Sequence, residues 1–400
     1  MSRLRIPHLA WWAMASFLLS RLVSGIMIAA ASADQEPFLM WTGTDPGYLD
    51  MTVLWDGSWY GEIAENGYPA VLPLTQDGQV AQNAWAFYPL FPMTARVVMS
   101  LSGASFQLVG STLALIAGVA AAGVIAILLA RRVADGVALA AVIVWGAAPP
   151  SPTFQIAYTE SFAVLLLALY LLAVQDRRWW AAAGLAPLIG LTRPIAAPLG
   201  VVLLTALVAR WRARGQDPLR TGEVWGAVTA LGVTALSAIE WPIIAGLVTG
   251  VGDAYSQTMG AWRAGHEIVP VKPWLTITQW TLDRWALPQG LTWPLLIGVP
   301  LGLLLLVLGP WARALGTPLR AWCLAYPAYL VLVLDPFTSL FRYLLPLFPL
   351  AVIFVGGGRV GRVSGWLMSR TMWWTGVGLL GQVVWIWQLL RFVPPTDYPP

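Results

Sequence analysis

Trp55-Asp56-Gly57-Ser58-Trp59-Tyr60-Gly61-Glu62-Ile63-Ala64-Glu65-Asn66-Gly67-Tyr68 is the densest polar and aromatic cluster in an otherwise apolar chain of 400 residues. It sits inside residues 23–95, which hold no lysine or arginine yet carry eight of the nineteen acidic side chains: Asp34, Glu36, Asp45, Asp50, Asp56, Glu62, Glu65 and Asp77. Loops of a membrane protein that face the cytoplasm collect Arg and Lys, so a long acidic loop without a basic residue belongs on the outer face. The chemistry of the chain is expected there.

Composition decides the solvent. Hydrophobic residues make up 58% of the chain and charged residues 10%, with 24 tryptophans and a mean hydropathy of +0.69. Lipid is the only economical solvent for such a polypeptide. The fold class expected is therefore an all-α polytopic membrane protein. The formal net charge of +4 and the pI near 9.4 do not imply nucleic acid, because the arginines cluster in short turns between apolar runs, as topology determinants do. Cys323 is the only cysteine, so it forms no intrachain disulfide and builds no zinc site.

The first apolar run, residues 9–31, follows Ser2-Arg3-Leu4-Arg5 and ends in Ala31-Ser32-Ala33, a sequence that also resembles a signal-peptidase site. A cleaved signal has an apolar core of about 7 to 15 residues, whereas this run is longer and many more follow, so a retained helix with a cytoplasmic N-terminus is expected. Residues 32–107 form the first outer loop. Within it, Phe87-Tyr88-Pro89-Leu90-Phe91-Pro92 opens an amphipathic or re-entrant segment, since prolines near its start suit a helix beginning at an interface. Residues 108–130 run inward to Arg131-Arg132, 136–148 outward to Pro149-Pro150-Ser151-Pro152, and 158–174 back to Arg177-Arg178. Residues 181–209 begin and end beside cytoplasmic arginines, and Arg193-Pro194 near their middle predicts two short helices meeting at Arg193. Residues 224–248 go out, 250–289 form a second outer loop, and 291–308 return to Arg313 and Arg320. Residues 322–334, 343–355 and 372–390 complete about eleven spans in one domain, 1–400, with no separate soluble domain and no internal repeat.

Asp56 has two readings. As a helix N-cap it satisfies orphan amides and needs no catalytic role. As a general base, held against Trp55, Trp59 and Tyr60 beside a lipid surface, it accepts a proton from an attacking hydroxyl while the aromatic faces stack on sugar rings. Asp50 and Asp45 are its possible partners. Arg193 lies in Leu191-Thr192-Arg193-Pro194, and a guanidinium at mid-bilayer costs roughly 2.5 to 3.5 kcal/mol on insertion scales, so it needs a counter-charge or a wet cavity. A lipid-linked phosphate supplies both; an ion pair with Glu160 or Glu240 is the structural alternative. Arg342, followed by Tyr343, sits at an outer boundary and either clamps the same phosphate or snorkels. Arg21, inside the first span, poses the same question. The second outer loop contributes Arg263 and His266 as candidate binding residues, and a single histidine without a second ligand at metal spacing is no metal site. No P-loop, dinucleotide fingerprint, HExxH or nucleophile elbow appears, so neither cofactor nor metal is expected, and the substrate must arrive already activated.

Trp55-Asp56 followed by Tyr60, Ile63-Ala64, Gly67-Tyr68 and Ala86-Phe87-Tyr88-Pro89-Leu90-Phe91-Pro92 resembles the first outer loop of the PIG-V family, the second GPI mannosyltransferase and its bacterial relatives. The resemblance covers residues 54–92 closely, and Thr192-Arg193-Pro194 and Arg342-Tyr343 through Pro349 more loosely. It implies a GT-C fold, a polyprenyl-phosphate-mannose donor used on the outer face of the cell membrane, and Asp56 at the position of the catalytic carboxylate. Where eukaryotic members have an Arg-Ser-Asn-Gly type segment, this chain has Arg193-Pro194-Ile195-Ala196. The implied reaction is an inverting displacement onto an extracytoplasmic glycan, glycolipid or protein acceptor. Asp56 serves as base, Arg193 and Arg342 neutralise the departing lipid phosphate, and the only other partners are membrane lipids.

Three alternatives compete. A GT-C transferase of glucose or arabinose from the same kind of donor needs the same residues. A lipid or sugar transporter also places arginines at broken helices, but the interruption at Arg193-Pro194 has no matching partner in the other half of the chain. A scaffolding subunit has no reason to concentrate Trp, Asp and Tyr in one outer loop.

Overall fold

The computed structural model describes residues 6–37, 43–263, 268–357, 365–392 and 399–400. Among them every extended element is helical, and Leu74 and Val80 form an isolated antiparallel bridge. The helices are α1 (Ile6–Ala33), α2 (Tyr48–Met51), α3 (Asp56–Asn66), α4 (Leu90–Ser102), α5 (Phe106–Ala130), α6 (Asp135–Gly146), α7 (Glu160–Gln175), α8 (Trp179–Gly190) and α9 (Ala196–Arg212). They continue as α10 (Thr221–Ser237), α11 (Glu240–Thr249), α12 (Ala254–Trp262), α13 (Lys272–Arg284), α14 (Thr292–Leu308), α15 (Gly316–Val333), α16 (Leu340–Tyr343), α17 (Leu350–Phe354) and α18 (Gly365–Trp385).

Four of the described helical stretches are long and apolar enough to cross a membrane: His8–Ala33, Phe106–Ala130, Ala196–Gly215 and Gln289–Leu308. A fifth is made by α10 and α11 if the pair, bent by 50°, counts as one span. This is fewer than the eleven spans expected from hydropathy, because several apolar runs fold as shorter or interrupted helices. Residues 181–209 divide as predicted into α8 and α9, and the segment between them carries Arg193. Carbonyls freed by that break find new donors: Leu90 N–H donates to Leu191 O at 2.9 Å and Thr159 Oγ1 to Thr192 O at 3.3 Å. Non-helical backbone at membrane depth is tolerated only when buried groups re-satisfy it in this way.

Residues 343–355, expected as a continuous span, are instead a series of short pieces: α16, a 3-10 turn at Leu345–Leu347 and α17. Pro346 and Pro349 remove two amide donors and break the ladder. Three buried side chains donate to the carbonyls left over: Trp145 Nε1 to Leu345 O at 3.0 Å, Trp322 Nε1 to Pro346 O at 2.8 Å and the Tyr326 hydroxyl to Tyr343 O at 2.8 Å. The fragmented segment is thereby held rigidly, with Arg342 on it buried.

The main core is built where α5 packs on α1 and α7, α8 on α7 and α10, and α9 on α15. Arg21, the buried cation of α1, has no acid partner among the described residues. It donates to Gly146 O at 2.6 Å, at the C-terminus of α6, to Ser151 O, and to Ser151 Oγ at 2.8 Å. A helix C-terminus carries partial negative charge, so these carbonyls stand in for a counter-ion. Many large apolar side chains on α1, α14 and α18 face outward, among them Trp11, Ile26, Ile297, Leu305 and Leu380, which fits a lipid-embedded protein.

Candidate functional site

The Asp56 segment is held in place by its small residues. Gly57 and Gly61 stand four apart, on one face of α3. A Cβ at Gly57 would meet Thr52 O at 3.3 Å and the Tyr158 ring at 3.4 Å, and one at Gly61 would meet the Phe106 ring at 3.0 Å, so α3 lies directly against its neighbours. The residue before the helix is strained: Trp55 occupies φ 58°, ψ −121°, a conformation that costs a non-glycine residue on the order of 1–3 kcal/mol. Its indole is anchored by a 2.9 Å hydrogen bond from Nε1 to Leu390 O and by an edge contact with Phe392. Trp55 was expected to bind substrate. It is buried instead against the C-terminal segment and does not line the cavity described below, because the left-handed turn swings it away from the face that Asp56 takes.

That turn also settles the capping question. Trp55 is the N-cap and Asp56 the first residue inside α3, so the Asp56 side chain does not cap the helix. Its Oδ2 accepts from Arg342 Nη2. Arg342 Nη1 donates to Glu160 Oε1 at 2.8 Å, and the same oxygen accepts from Arg193 Nη1. Asp56, Arg342, Glu160 and Arg193 thus form one charge-balanced chain of two acids and two arginines. Glu160 and Arg342 are 2% and 3% exposed, whereas the Asp56 side chain is 23% and the Arg193 side chain 16% exposed. The inner pair is sealed and the outer pair opens to the surroundings. Aromatic faces line the arginines: Arg193 lies 4.6 Å from the centre of the Tyr343 ring, and Arg342 lies 5.0 Å from Tyr158 and 5.1 Å from Tyr343. The alternative reading of Arg193, a pair with Glu160, is what the geometry shows. Glu240, its other possible partner, packs at the end of α8 beside Gly190.

Asp56 and Arg193 line one cavity of about 1500 Å³. Trp59, Tyr60, Phe87 and Tyr88 give it aromatic walls, with Trp59 stacked on Phe87 at 5.6 Å and set edge-on to Trp262 at 5.3 Å. Burial, the largest influence, pushes the Tyr60 hydroxyl well above the usual phenol range against the opposing pull of Arg193, so it stays protonated as a donor. Tyr326, Tyr329, Leu330 and Val333 of α15 make one apolar side, whereas Thr75, Gln79 and Gln82, and Ser256 and Gln257 of α12, supply polar groups. Arg193 and Arg263 are the arginines of the lining among the described residues. Arg263 donates to Val333 O at 3.1 Å and stands 3.7 Å from Asp335. Arg342 was expected to face the substrate phosphate; it lies behind Asp56 and Glu160, outside the lining. Tyr343 does line the cavity, and His266 falls outside the described residues.

Asp50 and Asp45 are not in the cavity lining; Asp50 Oδ2 accepts the Gly47 amide at 2.9 Å at the start of α2. Among the described residues no three His, Cys, Asp or Glu side chains gather as a group able to hold a metal ion. The residue undervalued by sequence reasoning is Glu160. Its signal was present, since it is the one carboxylate in the apolar run 158–174, and an ionisable residue inside such a run is a functional candidate by default. No protein-family model matches the chain, and comparison with curated proteins returns no match.

Proposed function

We propose that the chain is a membrane glycosyltransferase of the GT-C type, with about eleven membrane-crossing or membrane-inserted segments. On this reading it transfers a mannosyl residue from a polyprenyl-phosphate-mannose donor to an acceptor on the extracytoplasmic face. The strongest support is that a carboxylate at a helix start and a half-buried guanidinium, Asp56 and Arg193, open into one large cavity whose walls are aromatic. Its two-sided lining suits the reaction: the apolar face of α15 accommodates a lipid-linked donor, and the amide and hydroxyl groups of residues 75–82 and α12 accommodate a hydroxylated acceptor.

The acceptor oxygen attacks the anomeric carbon while its proton passes to Asp56. The bond from that carbon to the phosphate oxygen breaks, and its electron pair leaves on the lipid phosphate, whose charge Arg193 offsets with Arg263 nearby. Arg342 takes a different part from the one first expected of it: it pairs with Asp56 from behind. Trp59 and Tyr60 offer ring faces to the sugar. The decisive experiment is transfer of radiolabelled mannose from synthetic polyprenyl-phosphate-mannose by the purified protein, with and without chelator. Labelled product is expected under both conditions. Failure to consume this donor, alongside consumption of a glucosyl or arabinosyl analogue, would change the sugar and keep the reaction class.

A further inference from the structure

The ion-pair chain is incompletely satisfied. Glu160 Oε1 accepts from both Arg193 and Arg342, whereas Glu160 Oε2, fully buried, has no partner among the described residues. Arg342 divides its terminal nitrogens, Nη1 to Glu160 and Nη2 to Asp56. A buried carboxylate with one crowded oxygen and one empty one is a poor use of acceptor capacity, because burying an unpaired polar atom costs free energy. A small void of about 10 Å³, bounded by Glu160, Arg193, Arg342 and Tyr343, adjoins the group. The arrangement has a second, better-paired solution. If Arg193 leaves Glu160, Arg342 becomes its sole cation, and Oε1 together with the already unpartnered Oε2 closes a two-pronged fork on the terminal nitrogens of Arg342, a strong geometry for an arginine and a carboxylate. One of those nitrogens is the Nη2 now held by Asp56.

We propose that Glu160 is a positioning residue that couples the presence of an anion in the cavity to the release of Asp56. Arg193 is the only member of the chain that is a cation and also lines the cavity, so an anionic headgroup competes with Glu160 for it. Once the anion takes Arg193, Glu160 draws Arg342 onto itself, and Asp56 Oδ2 is freed to accept a proton. With the cavity empty, Asp56 stays tied to Arg342. The base is therefore withheld until the donor is seated, which protects the enzyme from deprotonating water or acceptor prematurely. This coupling rests on the reading of the cavity as the site of a phosphate-bearing lipid, and it adds an order of events that the reading does not require.

The test uses the full-length protein in detergent, with decyl phosphate as the anionic probe and decanol as its uncharged control. Binding is followed by tryptophan fluorescence, and the reactivity of Asp56 by the rate of carbodiimide labelling of its peptide, read by mass spectrometry. Decyl phosphate should raise the labelling rate of Asp56 on the order of fivefold or more, the low end of coupling between two sites, while decanol should not. The rise should disappear in Arg193→Gln and in Glu160→Gln. Should Glu160→Gln fail to fold, Glu160→Asp serves instead: it keeps the charge but is one methylene short of the fork, and the rise should be much reduced. Absence of binding overturns the donor reading and the coupling together. Binding without a rise, a fall in labelling, or a rise that survives substitution at either residue overturns the coupling alone.

Discussion

The two ends of α9 use the same residue types for opposite ends. Its 17 residues span about 25 Å. By its C-terminus Arg177, from the turn before α8, donates to Asp217 at 2.7 Å, with side chains 51% and 57% exposed. Before its N-terminus Arg193 meets Glu160, and behind them Arg342 meets Asp56, in a setting where the inner pair is sealed. Pairs in water are screened and contribute little, whereas a buried pair is costly to assemble and costlier to break. The first kind is cheap to keep. The second kind calls for a reason, and the cavity beside it supplies one.

That contrast fails at once if both ends lie on the same side of the membrane. A cysteine at Gln79, on a Cys323→Ser background, should react with an impermeant maleimide in intact cells, while one at Arg212 should react only after permeabilisation. The reverse pattern would put the cavity on the cytoplasmic side and remove the proposed donor.

Next in size is the loss of chemistry at Asp56. Asp56→Asn should insert and fold normally but lose about a hundredfold to ten-thousandfold in transfer rate, the usual contribution of a general base. Because Asp56 is not the N-cap, no capping loss complicates the result. Retention of more than about a tenth of the wild-type turnover in a well-folded protein would remove Asp56 from the base role.

Charge removal within the sealed pair should appear as lost stability. Arg342→Met leaves Glu160 with Arg193 alone and takes from Asp56 its arginine partner, and should destabilise by about 3–5 kcal/mol, the cost of breaking a buried pair. Thermal unfolding in detergent measures it, and a shift no larger than that of Arg177→Met would mean that the inner cluster is as well solvated as the exposed one.

Arg193→Ala should act on substrate use. Its apparent KM for the lipid donor should rise more than the KM for acceptor, because only the donor carries phosphate to it. Equal changes in both constants would return Arg193 to a purely structural pairing with Glu160.

The smallest effect belongs to the exposed end. Arg177→Ala should leave transfer unchanged. The Arg177 guanidinium beside Asp217 holds its carboxyl below the usual carboxylate range. A lowered value in the folded protein means that the contribution is present above the unfolded value and lost as pH falls through the folded one. The stability difference between wild type and Asp217→Asn should therefore start to shrink as pH falls below roughly 4, the ordinary carboxylate value, and vanish only below the lowered folded value. A difference that persisted there would have another origin.

Sequence alone determined the solvent, the helical class, the loop that carries Asp56 and the break at Arg193-Pro194. Each rests on local information: hydropathy along the chain, the absence of basic residues from 23–95, and a proline that cannot continue a helix. The lengths of the buried helices were not legible in the same way. Hydropathy reports that residues 343–355 are apolar, but the indole and phenol donors that allow them to break lie on α6 and α15. Nor did sequence show that Trp55 turns away from the site, since that depends on a left-handed backbone conformation which tryptophan adopts only when distant contacts hold it there.

The pairing of Arg342 with Asp56 joins residues 286 positions apart, and its pairing with Glu160 spans 182. No periodicity or spacing encodes such contacts. Charges buried in a low-dielectric interior must find partners wherever the packing of helices brings them within reach, so tertiary structure alone decided which arginine faces the cavity and which one stands behind the base.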